Sequence, residues 1–231
     1  MTLKALTFDT GGTILDWHRG ISRALAAAAE RRGVEADWPT ITNDYRRRSL
    51  KAMVNAEHPD FNIDDVHRRM LDEVIGEYGL DKLTADDRDE VLRTWHALEV
   101  WSDFPAALKR LRKRYIVASF TILITSLVVD VSRKNGIDWD AVISCEMKCI
   151  YKTRPRAYLT AAKWLGIDPD GIMMVACHNV DLNAARECGC RSAFVKRPDE
   201  WGPAEPPDPT SNPAHNIVAS DFPDLARQLG A

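Results

Sequence analysis

The chain has 231 residues, 45% of them hydrophobic and 28% charged, a composition that suits one folded globular body or a core with an insert and excludes bulk disorder. Lys and Arg number 31 against 34 Asp and Glu, and the resulting net charge of −3 argues against a general nucleic-acid binder.

Leu3–Phe8 (LKALTF) is a short apolar run that ends at Asp9 and Gly11-Gly12, the pattern of a buried strand entering a tight turn. Asp9 also interrupts the N-terminus before a signal-peptide core can form. Ile21–Arg32 is an Ala-rich helix with Gly33 as its stop, and further helical patterns cover Thr40–Val54, Asp64–Tyr78 and Ala85–Leu98. Turn signals separate them at Pro59-Asp60 and around Gly79–Asp81. From Asp103 the texture changes to alternating helix and strand. A basic helix runs to Arg114, then a strand at Tyr115–Ser119, a helix at Leu127–Asn135 and a strand at Ala141–Ser144. The uncharged stretch 115–129 is shorter than the roughly 20 apolar residues of a membrane helix and carries Ser119, Thr121, Thr125 and Ser126. A helix at Arg156–Leu165, a strand at Ile172–Ala176, a helix at Asp181–Cys188 and a strand at Ser192–Val195 follow. A Pro-rich loop from Pro198 to Pro213, Asn216–Val218 and a helix at Phe222–Leu229 complete the chain. This alternation predicts a parallel sheet with helices on both faces. Five cysteines, 145, 149, 177, 188 and 190, without a CxxC pair point to reduced thiols and a cytoplasmic protein.

Ligands of open parallel sheets sit beyond the carboxyl ends of the strands, so the residues just after each strand are the candidates. These are Asp9 with Thr10, Gly11, Gly12 and Thr13; Thr121, or Ser119 if the strand ends earlier; Lys152; and His178, Asn179 and Asp181. A carboxylate can act as a covalent nucleophile if its charge is held without being quenched. Lys152 and the Gly11-Gly12 backbone could hold it, and a second carboxylate with a histidine could position water. Bland alternatives accompany several of these: Asn179 as a helix cap, Tyr158 as core, Arg46–Arg48 as a solvated helix face, Cys177 as an inert buried thiol.

F-D-T-G-G-T-I-L-D-W (Phe8–Trp17), Thr121, Y-K-T-R-P-R-A-Y (Tyr151–Tyr158) and V-A-C-H-N-V-D-L-N-A-A (Val175–Ala185) resemble, in order and spacing, the four motifs of the haloacid dehalogenase superfamily. T-W-H-A-L-E-V-W-S-D (Thr94–Asp103) and R-P-D-E-W-G-P (Arg197–Pro203) look like its metal-independent 2-haloacid and haloacetate dehalogenases. The resemblance implies a Rossmann-like α/β fold, a parallel sheet core (1–15 and 99–231) with a helical cap (16–98) inserted after the first strand. It implies hydrolytic dehalogenation of short 2-haloalkanoic acids through an ester on Asp9. Lys152 and Thr13 would hold Asp9, and Asp181 with His178 and Asn179 would orient water. Arg46 would pair with substrate carboxylate or halide, Trp17 would wall the halogen, and Thr10, Gly11, Thr121 and Tyr158 would complete the pocket. No metal or other cofactor is expected, because Gly11 stands where related phosphatases carry a second Asp. The implied partners are a small halogenated acid and halide, with neither nucleic acid nor membrane, in a monomer or homodimer. The chain departs from the family at Gly11, usually Tyr or Phe, which would open a gap in the pocket wall. It departs again at Thr121-Ile122-Leu123-Ile124, usually Ser-Asn-Gly-Asn, and at Thr153-Arg154, usually Pro-Asp. A small-metabolite phosphatase, or a weakened relative that binds small acids or a partner, are the competing readings.

Overall fold

A computed structural model describes residues 2–54 and 61–231, the side chain of Val54 excepted. Six strands, β1 (Ala5–Phe8), β2 (Ile116–Thr121), β3 (Ala141–Ser144), β4 (Ile172–Ala176), β5 (Arg191–Val195) and β6 (Ile217–Ala219), form one sheet in the order β3-β2-β1-β4-β5-β6. Every pairing is parallel, with Ala5 beside Ile116 on one side and Ile172 on the other. β1 and β4 are buried along their whole length, as apolar runs covered on both faces must be. The parallel sheet with flanking helices is the expected α/β Rossmann-like fold.

Among the described residues five helices lie between β1 and β2, and the first four are α1 (Trp17–Glu30), α2 (Trp38–Val54), α3 (Ile63–Glu77) and α4 (Ala85–Trp95). They pack on one another, α1 against α2 and α4, and α3 against α2 and α4. Local chemistry explains their limits. Thr84 and Asp87 form a reciprocal capping box at the start of α4, and Asp16 accepts from Arg19 N at the start of α1. α4 stops at Trp95, three residues short of the expected Leu98. The Pro59-Asp60 turn lies outside the described residues.

The remaining helices are α5 (Phe104–Leu111), α6 (Thr125–Asn135), α7 (Pro155–Leu165), α8 (Asn179–Glu187) and α9 (Phe222–Gln228). Phe104 and Leu108 of α5 and Phe222 and Leu225 of α9 join Phe8 and Val175 in the core on one face of the sheet. The other face, with Phe120, Met174 and Phe194, shares a continuous core with α6, α7, α8 and the inserted helices. Gly136 closes α6 in the left-handed region (φ 63°), which a residue without Cβ enters at little cost. No helix among the described residues is long and apolar enough to cross a membrane, and all five cysteines are free.

Candidate active site

The chain leaves β1 for β2 on one side of the sheet and later returns to β4 on the other, so the crevice beyond the carboxyl ends of β1 and β4 is the topological switch point. Asp9 opens that crevice and is buried. Thr13 Oγ1 donates to Asp9 Oδ2 (2.7 Å) and accepts from Cys177 N (3.1 Å), which ties the turn after β1 to the end of β4. Lys152 Nζ donates to Asp9 Oδ1 (3.0 Å) and to Asp181 Oδ2 (2.8 Å). His178 Nδ1 lies 3.3 Å from Asp9 Oδ2. Burial alone would raise the Asp9 pKa, but the Lys152 ammonium and His178 outweigh it and hold the carboxyl well below the usual carboxylate range. Burial likewise opposes the charge on Lys152, and Asp181 and Asp9 more than offset it, so the ammonium is retained. Asp9 is therefore an ionised, buried carboxylate whose charge is held from three sides.

Asp181 serves Lys152 with one oxygen and accepts from the Tyr158 hydroxyl with the other (Oδ1, 2.6 Å). Burial, reinforced by the charge of Asp181, pushes the Tyr158 hydroxyl far up and keeps it a donor. Tyr158 thus bears directly on Asp181, beside the Lys152 ammonium.

Arg46 is the one arginine of the 46–48 run that is buried here; Arg48 pairs outward with Asp44 and Glu77, and Arg47 covers Trp201. The Arg46 guanidinium sits over the rings of Trp17 (5.5 Å) and Trp95 (5.4 Å), and its Nε and Nη1 have no hydrogen-bond partner. An unpartnered, buried, charged donor is costly to keep and is what an anionic ligand would satisfy. A Cβ on Gly11 would stand 3.1 Å from Arg46 Nη2. The glycine leaves no gap in the wall: the guanidinium fills it.

Sequence reasoning passed over Glu200, although R-P-D-E-W-G-P contains it. Glu200 is buried, and its Oε1 lies 3.0 Å from His178 Nε2 and accepts from Trp17 Nε1 (3.3 Å). Burial would raise its pKa, but His178, Trp17 and Arg46 together lower it more. Burial disfavours the imidazolium too, yet Cys177, Glu200 and Asp9 together raise the His178 pKa well above its ordinary value. Arg197 positions this loop by gripping Asp103 with both guanidinium nitrogens (3.0 Å each) and donating to Thr13 O (3.0 Å).

Three expected contributors are engaged elsewhere. Thr121 Oγ1 accepts from Leu123 N (3.0 Å) and serves its own turn. Thr10 Oγ1 pairs with Ser119 Oγ (3.0 Å). Asn179 faces the C-terminal loop, where its amide donates to Asp208 Oδ1 and Thr210 O, and its oxygen accepts from Asn212 N. It anchors that loop, its oxygen also facing His215 Nε2 (3.0 Å). Ile122 packs, partly buried, against the core.

The site does not suit the Mg²⁺ of related phosphatases. Lys152 Nζ already donates to both Asp9 and Asp181, and Gly11 supplies no third carboxylate. Cys177, His178 and Glu200 bring donor atoms within 4.8 Å of one another, but the imidazole–carboxylate ion pair already uses them, and the Cys177 thiol is pushed up to about 11 by burial. We assign no metal there.

A family model described as haloacid dehalogenase-like hydrolase matches residues 3–189. The chain is 25% identical over 207 residues to (S)-2-haloacid dehalogenase 4A of Burkholderia cepacia, covering 85% of this chain and 84% of that protein. It is 26% identical to (S)-2-haloacid dehalogenase of Pseudomonas sp. (strain YL), covering 84% and 83%. Among solved structures it resembles a defluorinating L-2-haloacid dehalogenase at 36% identity and TM-score 0.91, covering 99% of this chain and 96% of that one. A second L-2-haloacid dehalogenase is 31% identical, with TM-score 0.90 and 99% of both chains covered.

Proposed function

The chain belongs to the haloacid dehalogenase-like hydrolases, and within that family we propose that it hydrolyses the carbon–halogen bond of short 2-haloalkanoic acids through an ester on Asp9. The observation that carries this reading is the pairing of a caged, ionised nucleophile with a buried arginine that has free donors. Asp9 would attack the halogen-bearing carbon, break its bond to the halogen and release halide. Arg46 would hold the substrate carboxylate or the departing halide, since its planar fork stays charged and grips such anions well. Trp17 and Trp95 would form the apolar wall. Water would then hydrolyse the ester at Asp9 Cγ. The boundary we propose runs between a core of residues 1–15 and 99–231 and a cap of 16–98, which carries Arg46, Trp17 and Trp95 over the nucleophile.

Phosphate transfer fits poorly, because Lys152 already engages both Asp9 and Asp181 and Gly11 adds no third carboxylate for Mg²⁺. Halide release from chloro-, bromo- and fluoroacetate and 2-chloropropionate, run beside a panel of phosphate esters, tests the assignment. Halide without phosphate is expected; phosphate without halide overturns it. A single turnover in ¹⁸O-water should label Asp9, and label appearing directly in the hydroxy acid would rule out the ester.

A further inference from the structure

We propose that His178, oriented by Glu200, accepts the proton of the water that hydrolyses the Asp9 ester, and that Asp181 does not. The inference rests on the ester reading above. Asp181 spends one oxygen on the Lys152 ammonium and the other on the Tyr158 hydroxyl. A proton added to either oxygen would oppose a buried hydrogen already there. His178 has the complementary arrangement: Nδ1 lies 3.3 Å from Asp9 Oδ2, and Nε2 faces both oxygens of Glu200 at 3.0 and 3.2 Å. A base with one nitrogen toward the reacting carboxyl and the other held by a carboxylate is the arrangement of an oriented general base.

The fold makes room for this pair. A Cβ on Gly12 (φ 90°) would fall 1.9 Å from Glu200 Oε1, so the turn that carries the nucleophile closes only around that carboxylate when residue 12 is glycine. Trp17 fixes the same oxygen, and the Arg197–Asp103 pair holds the loop from which Glu200 projects. A cavity of about 420 Å³ lined by Lys196, Arg197, Glu205 and Asp208 also reaches Cys177 and Glu200, which would give protons a way to solvent.

The charges also supply the timing. His178 faces Asp9, Cys177 and Glu200, while the cations Lys152 and Arg46 face the same carboxylates. Before reaction both Asp9 and Glu200 hold His178 as imidazolium. Ester formation removes the charge of Asp9, and burial then favours loss of the imidazolium proton to solvent. Neutral His178, with its Nε2 hydrogen on Glu200, takes a proton from water at Nδ1 as the hydroxide oxygen bonds to Asp9 Cγ. The Cγ–O bond to the substrate carbon breaks, and the alkoxide of the hydroxy acid takes the proton from Nδ1. The regenerated Asp9 carboxyl gives its own proton back to His178. One water is consumed, and one halide and one proton are released per turnover.

The test is a rapid-quench single turnover with 2-chloropropionate, following halide, hydroxy acid and the mass of the Asp9 peptide. Glu200→Gln and His178→Gln should each release one equivalent of halide and then accumulate the Asp9 ester, with ester decay slowed about 100-fold or more. The acidic limb of the ester-decay pH profile, where His178 loses its proton, should move to lower pH in Glu200→Gln, a change that a purely structural role would not produce. Wild-type ester decay in both variants, ester accumulation confined to Asp181→Asn, or loss of the halide burst in both folded variants would overturn the proposal. Absence of ester from wild type and every variant would instead remove the Asp9 reading on which it stands.

Discussion

The guanidinium of Arg46 occupies the space that a side chain on Gly11 would enter, with Nη2 3.1 Å from the position of a Cβ there. An added methyl must push the guanidinium by a few tenths of an ångström. Gly11→Ala should therefore lower kcat/KM for 2-chloropropionate about tenfold, a loss of roughly 1.4 kcal/mol. Gly11→Tyr should lower it further and reduce Tm, because overpacking costs about 1–3 kcal/mol. Steady-state kinetics and thermal melts check both, and unchanged kinetics in Gly11→Tyr would show that Arg46 works from another position.

Arg46 itself keeps Nε and Nη1 free in a buried setting. Lysine would retain the charge but lose the fork. Hydrogen bonds to charged partners are worth roughly 1.5–3 kcal/mol, so Arg46→Lys should cost about tenfold to a hundredfold in kcat/KM, mostly through KM.

Lys152 holds Asp9 ionised, and the sign of the resulting pH effect is fixed. Asp9 has a folded pKa depressed below its usual 3.8, so its contribution to stability is present above about pH 4 and is lost as pH falls toward the depressed value. Lys152→Met removes that depression and leaves Asp9 and Asp181 to repel each other. The variant should therefore be less stable than wild type at pH 7 but lose less stability as the pH falls from 7 to 3, measured as urea midpoints by circular dichroism at each pH.

His96, just beyond α4, bridges Asp64 of α3 (Nε2, 3.1 Å) and Asp130 of α6 (Nδ1, 2.7 Å). It joins the inserted helices to the sheet layer. Burial opposes its charge, but Asp130 and Asp64 raise its pKa above 6.5. Stability from this bridge is complete below about pH 6.5 and is lost as pH rises through the raised folded value. Urea midpoints at pH 6 and pH 9 should differ less in His96→Gln than in wild type.

Activity should survive exhaustive treatment with EDTA and gain nothing from added Mg²⁺, since Lys152 Nζ already bridges the two carboxylates. Halide release before and after chelation checks this, and strict Mg²⁺ dependence would contradict the assignment of the site.

Hydrophobic runs and their punctuation carried most of the fold in local form. Ala141–Ser144 and Ile172–Ala176 are strands at the limits their sequences predict, and Gly136 and Gly166 end the helices before them. The parallel order followed because helices of 8 to 11 residues alternate with short buried strands. Asp9, Thr13, Lys152, Asp181 and His178 were legible because each follows a strand, and a parallel sheet collects those positions at one edge. What lay beyond reach was the direction of each side chain and every partner brought by a distant loop. Asn179 and His178 are neighbours in sequence, yet one anchors the C-terminal loop and the other faces Asp9, a divergence set by the first turn of α8. Glu200 lies in a loop with no periodicity to betray its burial, and it meets His178 only because Arg197 fastens that loop to Asp103, 94 residues away. Arg46 looked like its neighbours Arg47 and Arg48, and only packing against Trp17 and Trp95 turned it inward. Periodicity and turn chemistry are properties of neighbouring residues; burial of a charge is decided by what the rest of the chain packs around it.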